Sequence, residues 1–388
     1  MERKHWMDNL RWVTVLLVLF YHVIYFYNNK GVFGGFGGFG EYPEHPQYQD
    51  VVMYILYPWF MPILFLLAGI GSRYALEKQS AGKWFGARTR KLLVPSTIGL
   101  FVFQWMVGYF NTAVAVKGGP LEFPEITLPE SVPLFAKHAL ETIISFLIKY
   151  NILSISGTGP LWFIQLLWLL CLVLLIIRAL DKKDELWKFW SGKANIVWIL
   201  LLGMLFWAGA QTLIMNPREE SLDGLVNLYK PFFYMVLFLL GYFVFSHDEV
   251  QEKLGQAWIP LMAGAVVAGT ALTITTFGRD NTTPEYMSSP LNCLYGWLMC
   301  LAMMGWFKAR FNRTGAFAGY MTRNSYGLYI LHYLVIGSLG YMMKQYISLA
   351  PWQMYVILTV AVMTISPLLN EIIKRIPFIR WCVLGIKK

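Results

Sequence analysis

Stretches of about twenty apolar residues, separated by short charged or Gly/Pro-rich connections, recur along almost the whole chain. A bilayer core about 30 Å thick takes roughly 20 residues of helix to cross, since each residue advances about 1.5 Å. No water inside that core can satisfy free backbone groups. Each stretch must therefore close its own hydrogen bonds as a helix and end where a connection begins. Spans are predicted near 11–29, 51–75, 92–114, 160–180, 194–215, 230–247, 257–277, 290–308, 323–345 and 351–374. The predicted fold is an all-α bundle of about ten transmembrane helices, with residues 1–388 forming one integral membrane domain. Only 14% of the residues are charged, against about 25% in soluble domains, which excludes an ordinary soluble enzyme. Cys171, Cys293, Cys300 and Cys382 lie in or beside apolar blocks. They read as buried free thiols, with neither disulfide nor metal-ligand spacing, and no metal is expected. The first apolar stretch lacks a small-residue cleavage site and reads as a retained span.

A net charge of +10 would point to nucleic acid in a soluble protein. In a membrane protein the blander cause is that cytoplasmic loops collect Lys and Arg. With the N-terminus inside, 24 of the 32 Lys and Arg residues fall in inside segments and 8 in outside ones. Both termini are therefore predicted to be cytoplasmic, in a cell membrane, with the bilayer and not nucleic acid as partner. The longest outside stretch, 115–159, holds Glu122, Glu125 and Glu130. Within it, 134–150 places Leu140, Ile143, Ile144 and Leu147 on one helical stripe. That segment also carries Lys137, Glu141 and Lys149, so it reads as a helix lying in the outer interface. A loop of this length serves as a lid, as a binding surface or simply as a tether. GFGGFG at 35–40 matches a dinucleotide-binding pattern by letter alone, since no strand precedes it.

Ionisable groups inside a bilayer are costly, which makes each one a functional candidate. His22 interrupts the first span and His332 the ninth, and no Asp or Glu stands at the middle of any span. Arg11 and His22 are 11 residues apart, within about 20° of three full turns, which sets His22 ~16 Å deeper than Arg11. Asp8 shares that face at the rim. His332 lies nine residues beyond the rim residue Arg323, or ~14 Å deeper. The two imidazoles are thus predicted at nearly the same depth, and Ser325 shares a face with His332. Neutral imidazole suits proton abstraction near neutral pH, although either ring can instead be a packed histidine satisfied by a carbonyl. Arg88, Arg90 and Lys91, at the entrance to the third span, are either a topology signal or a phosphate-holding cluster.

Four segments carry a resemblance to a known family: DNLRWVTVLLVLFYH at 8–22, RTRKLLVP at 88–95, GPLWFIQLL at 159–167 and SYGLYILH at 325–332. In this order, with about ten spans, the chain resembles acyltransferase family 3, integral membrane proteins, over essentially its whole length. The Arg11-to-His22 spacing fits that family's Arg-x10-His pattern. The opening and FSHDEV at 245–250 look most like the branch that includes glucan-succinylating proteins. The resemblance implies transfer of an acyl group, acetyl or succinyl, from cytoplasmic acyl-CoA to a hydroxyl on an extracytoplasmic carbohydrate or similar cell-envelope acceptor. It implies essential roles for Arg11 and His22, and for the family's RxxR positions, here Arg88 and Lys91. The second is Lys and not Arg, so the bidentate fork is lost and Arg90 is an alternative.

Taken together, the CoA phosphates are expected at the rim on Arg88, Lys91 and Arg11. The thioester then reaches His22, acting as general base or as acyl acceptor. His332 would orient the acceptor, stabilise the oxyanion or serve the structure. Trp162, Tyr42 and Trp59 are candidates for the acceptor face by position, and aromatic residues also gather at membrane interfaces for unrelated reasons. The alternative reading is a transporter or exporter of a glycan or lipid precursor with the histidines as a proton relay. It would be favoured by inverted repeats, which the sequence does not display.

Overall fold

The computed structural model describes residues 3–28, 39, 48–99, 133, 137–138, 140–142, 161–193, 195–212, 221–222, 226–227, 230–279, 281 and 283–387. The principal helices among them are α1 (His5–Phe26), α2 (Val51–Lys78), α3 (Ala81–Arg88), α4 (Trp162–Leu180), α5 (Ile196–Leu201) and α6 (Gly203–Thr212). They continue with α7 (Pro231–Phe243), α8 (Asp248–Thr276), α9 (Pro290–Arg310), α10 (Ala316–Tyr346), α11 (Pro351–Arg375) and α12 (Pro377–Leu384). The described residues hold one strand pairing, Ser221–Leu222 antiparallel to Val226–Asn227. Six of the described helices are long and apolar enough to cross a membrane: α1, the Tyr48–Lys78 helix that contains α2, α4, α8, α10 and α11. Ile196–Gln211 and Pro231–Phe243 are shorter apolar helices. α9 has 21 residues, enough for about 30 Å. The protein is a polytopic helical bundle. The third predicted span begins within the described residues as a π-helical turn, Thr89–Leu93, and a short helix, Val94–Ser96. Its remainder, Tyr42 and most of the 115–159 loop lie outside them.

Helix ends differ from the hydropathy-based bounds in an instructive way. α8 starts at Asp248 and α10 at Ala316, where an inside loop at 248–256 and a span start near 323 were expected. Hydropathy reports where the side chains turn apolar, whereas backbone hydrogen bonding continues through charged turns until Gly, Pro or a cap interrupts it. Asp248 and Glu249 in the first turn of α8 favour the helix there, because they face its positive dipole end. The 194–215 span is likewise two helices, α5 and α6, that part at Leu202.

α1 is the centre of the bundle and packs against α2, α9, α10 and α11. It runs parallel to α10, and polar contacts at both ends show this. Near its start, Asn9 Nδ2 donates to the carbonyls of Phe311 at 2.7 Å and Arg313 at 2.8 Å, just before α10. The Trp6 amide donates to Asn312 Oδ1 at 3.2 Å. At its far end, the Tyr27 hydroxyl donates to the Ile336 carbonyl at 3.1 Å. A Cβ on Gly340 would overlap the Tyr27 ring, so only glycine lets α10 approach there.

α2 and α7 cross on two glycines. A Cβ on Gly69 would overlap the Phe238 carbonyl oxygen, and one on Gly241 the Leu66 carbonyl oxygen. In lipid, where apolar burial does not drive helices together, such close backbone contact is what joins them. Gly241→Val should force α2 and α7 apart at a cost of about 1–3 kcal/mol and lower the melting temperature of the detergent-solubilised protein. Gly71→Ala is the matched control, because its Cβ would meet nothing within 4 Å, and thermal unfolding should leave it unchanged.

Candidate active site

The parallel register of α1 and α10 brings His22 and His332 into contact. Nδ1 of His22 lies 3.1 Å from Nε2 of His332, and the ring centroids are 5.0 Å apart. His332 is fully buried, while His22 is half-buried although its helix is enclosed by four others.

Hydrogen-bond partners assign the tautomers. Nδ1 of His332 faces the Tyr329 carbonyl. A carbonyl only accepts, so Nδ1 carries the proton and a neutral His332 offers Nε2 as an acceptor. The donor to it is then His22 Nδ1–H, which leaves His22 Nε2 as an unprotonated lone pair. His332 thus holds the Nδ1 face of His22, alongside a backbone contact of His22 with Val18, and is itself fixed by its own helix.

The rim residues also assemble. Arg11 Nη1 lies 3.3 Å from Asp8 Oδ1, and the Arg11 side chain keeps 43% of its surface accessible. Asp8 is shared, since Arg3 Nε approaches its other oxygen at 2.9 Å. Arg88 and Lys91 are close enough to Arg11 to repel it and each other. Lys91 is exposed. Loss of hydration there, and then the like charges of Arg11 and Arg88, push its ammonium below the ordinary lysine value. Arg11, Arg88 and Lys91 thus cluster with one carboxylate nearby, Asp8, which Arg11 shares with Arg3. The π-helical turn that carries Lys91 is tied down from α4, where Trp168 Nε1 donates to Thr89 Oγ1 at 3.0 Å.

Arg90 is set apart from this cluster. Its Nε donates to the Gly385 carbonyl at 3.3 Å, so it braces the segment after α12. Ser325 is buried on α10, two turns before His332. Trp162, at the start of α4, stacks among Phe65, Phe163 and Tyr234. Phe163 reaches Tyr329 at 5.8 Å, and Tyr329 reaches His332 at 5.8 Å. Trp162 is therefore three aromatic contacts removed from His332. Trp59 is a core residue, 3% exposed, with its indole N–H donated to the Ile55 carbonyl at 2.8 Å. That burial removes it from the acceptor face.

Three tyrosines that the sequence reading passed over connect the two halves of the site. Tyr326, Tyr329 and Tyr333 recur at helical spacing on α10. The Tyr326 hydroxyl donates to the Lys91 carbonyl, and the Lys91 ammonium stands 5.2 Å from its ring. Tyr333 touches both histidine rings. The three span about 10 Å along the helix axis, from the cation cluster to the imidazole pair. Their i, i+3, i+7 spacing in SYGLYILHY was a readable signal.

This geometry agrees with what the comparison with protein families finds. The model of the acyltransferase domain, the third family of that name, matches residues 4–371. The protein belongs to acyltransferase family 3. Neither the curated proteins nor the solved structures yield a match. The match covers all four regions that carry the candidate residues: the start of α1, the turn at 88–95, the start of α4 and α10. The tautomers have a direct readout. In ¹⁵N spectra of histidine-labelled protein at neutral pH, His22 and His332 should each show a protonated Nδ1 and an unprotonated Nε2. His332→Ala should erase the preference of His22.

Proposed function

We propose that this protein transfers an acyl group, acetyl or succinyl, from cytoplasmic acyl-CoA to a hydroxyl of an extracytoplasmic carbohydrate or other cell-envelope acceptor. The observation that carries the reading is the contact of His22 Nδ1 with His332 Nε2 at 3.1 Å, made by a part-buried ring in the last turns of a central helix and joined by one face of α10 to three clustered cations. CoA is too polar to cross lipid, so its phosphates stay at the basic rim. Arg88 and Arg11 offer forked donors and Lys91 a point charge. The uncharged arm extends past Tyr326 and Tyr329 and presents the thioester carbonyl beside His22.

His22 Nε2 then takes the proton of the acceptor hydroxyl as its oxygen attacks the thioester carbon. The carbon–sulfur bond breaks, the CoA thiolate departs and recovers that proton from His22, and an O-ester remains. His332 acts through His22: its Nε2 holds the Nδ1 proton of His22, and so keeps the catalytic nitrogen unprotonated and aimed. Asp8 spreads its charge over Arg3 and Arg11 and orients Arg11 at the rim. Placing both termini and this rim in the cytoplasm follows the three-to-one excess of Lys and Arg on that side.

Purified protein given radiolabelled acetyl-CoA or succinyl-CoA should release CoA, and His22→Ala should lower turnover by 10²–10⁴, the usual contribution of a general base, with the protein still folded. Solute movement with no thioester consumed would support the transporter instead. Arg88→Ala should act on binding. Loss of a charge-assisted hydrogen bond, about 1.5–3 kcal/mol, raises KM for acyl-CoA roughly 10- to 100-fold with kcat little changed. Salt near 1 M, where the screening length falls to about 3 Å, should reproduce part of that effect in the wild type.

A further inference from the structure

The imidazole pair supplies a base, but nothing so far placed in the site answers the charge that appears on the thioester oxygen during attack. Such charge is stabilised best by a donor already aimed at it in a site sheltered from water. Arg11 sits ~16 Å away along α1, and both Nδ1 protons of the histidines are committed.

Tyr333 directly follows His332 on α10. Its ring stands edge-on to both imidazoles, 4.9 Å from His22 at 71° and 4.9 Å from His332 at 82°. Phe26 closes on it at 4.4 Å and 78°. Three aromatic neighbours thus fix the ring, while its hydroxyl makes no hydrogen bond to any described residue. The side chain is half-buried, like His22 and unlike His332, and its ring lies directly against that of the base. The other phenols near the pair fit less well. Tyr21, 5.3 Å from His22, is 2% exposed and packed among Tyr25, Tyr57 and Phe60. Tyr329 is 5.8 Å from His332 and touches Phe163, and Tyr25 is 6.0 Å from His22 and stacked on Tyr21.

We propose that Tyr333 is the oxyanion donor of this site, a catalytic residue whose phenol O–H hydrogen-bonds the thioester oxygen as it becomes negative. The inference rests on the acyl-transfer reading above. When the acceptor oxygen bonds to the thioester carbon, the carbonyl π pair moves onto oxygen and is held by the Tyr333 O–H, which keeps its proton. When the intermediate collapses, the pair returns to reform the carbonyl, the carbon–sulfur bond breaks and the thiolate takes the proton carried by His22. No other reactant is needed. A phenol donates without bringing a full charge into the membrane, which a lysine or arginine at this depth would do at a cost of ~2.5–3.5 kcal/mol or more.

The test is CoA release by the purified full-length protein from acetyl-CoA and succinyl-CoA, with water as acceptor, for wild type, His22→Ala and Tyr333→Phe. The phenylalanine variant keeps the ring and its three aromatic contacts. Expected is a 10²–10³-fold fall in kcat, the usual result of removing one oxyanion donor, with KM for acyl-CoA within about threefold and the basic limb of the pH profile unmoved. Replacement of Tyr333 by 3,5-difluorotyrosine, a more acidic donor of nearly the same shape, should change kcat while thermal unfolding stays constant. It also serves if the phenylalanine variant misfolds. A kcat within tenfold of wild type in the folded phenylalanine variant, a loss expressed in KM, or a fluorotyrosine enzyme identical to wild type would overturn the assignment to Tyr333. Absence of any His22-dependent CoA release in wild type would overturn the acyl-transfer reading and this inference with it.

Discussion

The parallel contact between α1 and α10 governs everything else in this molecule. Apolar side chains cannot hold two helices in register in lipid, because the surrounding tails satisfy them equally well. Register has to come from directional bonds and from places where backbones touch. Here Asn9 supplies the first at one end, and Tyr27 with Gly340 supplies both at the other. Between those pins lie roughly 18 residues of α1, and His22 falls where α10 presents His332. A slip of one residue would turn either ring by about 100° and dissolve the imidazole contact. The chemistry of the centre is thus set by polar groups near the ends.

The site also separates two problems that a membrane acyltransferase has to solve together. Charge is kept at the rim, on Arg11, Arg88 and Lys91. The middle carries only groups that are neutral when idle. Tyr326, Tyr329 and Tyr333 bridge the two zones with side chains that have an apolar body and a polar tip, and so tolerate either a hydrated or a dry neighbour. The π-helical turn at Thr89–Leu93 fits this division, since an extra residue in a turn redirects side chains and such turns recur at functional sites.

Much of the fold was legible because bilayer thickness leaves so few solutions. Apolar runs of the right length become helices, and the positions of nine of the ten expected spans coincide with helices among the described residues. Matched depth of His22 and His332 could also be computed from spacing alone. Their adjacency could not, because nothing in a linear chain states which helix lies beside which. The pairing is written in single residues such as Asn9 and Gly340, whose partners are some 300 positions away. Arg90 looked equivalent to its neighbours in the sequence, and only the fold shows it turned towards Gly385. The tyrosines were overlooked because aromatic residues are abundant, at 17% of this chain, and their spacing acquires meaning only once α10 is known to face the imidazoles.

Because α1 is enclosed partly by α10 and α11, a helix depends for its packing on helices made some 300 residues after it. The 310 positions between the two histidines mean that most of the chain must be inserted before they can meet. Until then, the first span has to wait in the membrane with Asn9, His22 and Tyr27 unsatisfied, or borrow transient partners. The imidazole pair consequently forms only after α10 has been inserted, and a nascent chain halted short of α10 would be membrane-bound, largely helical and without that contact.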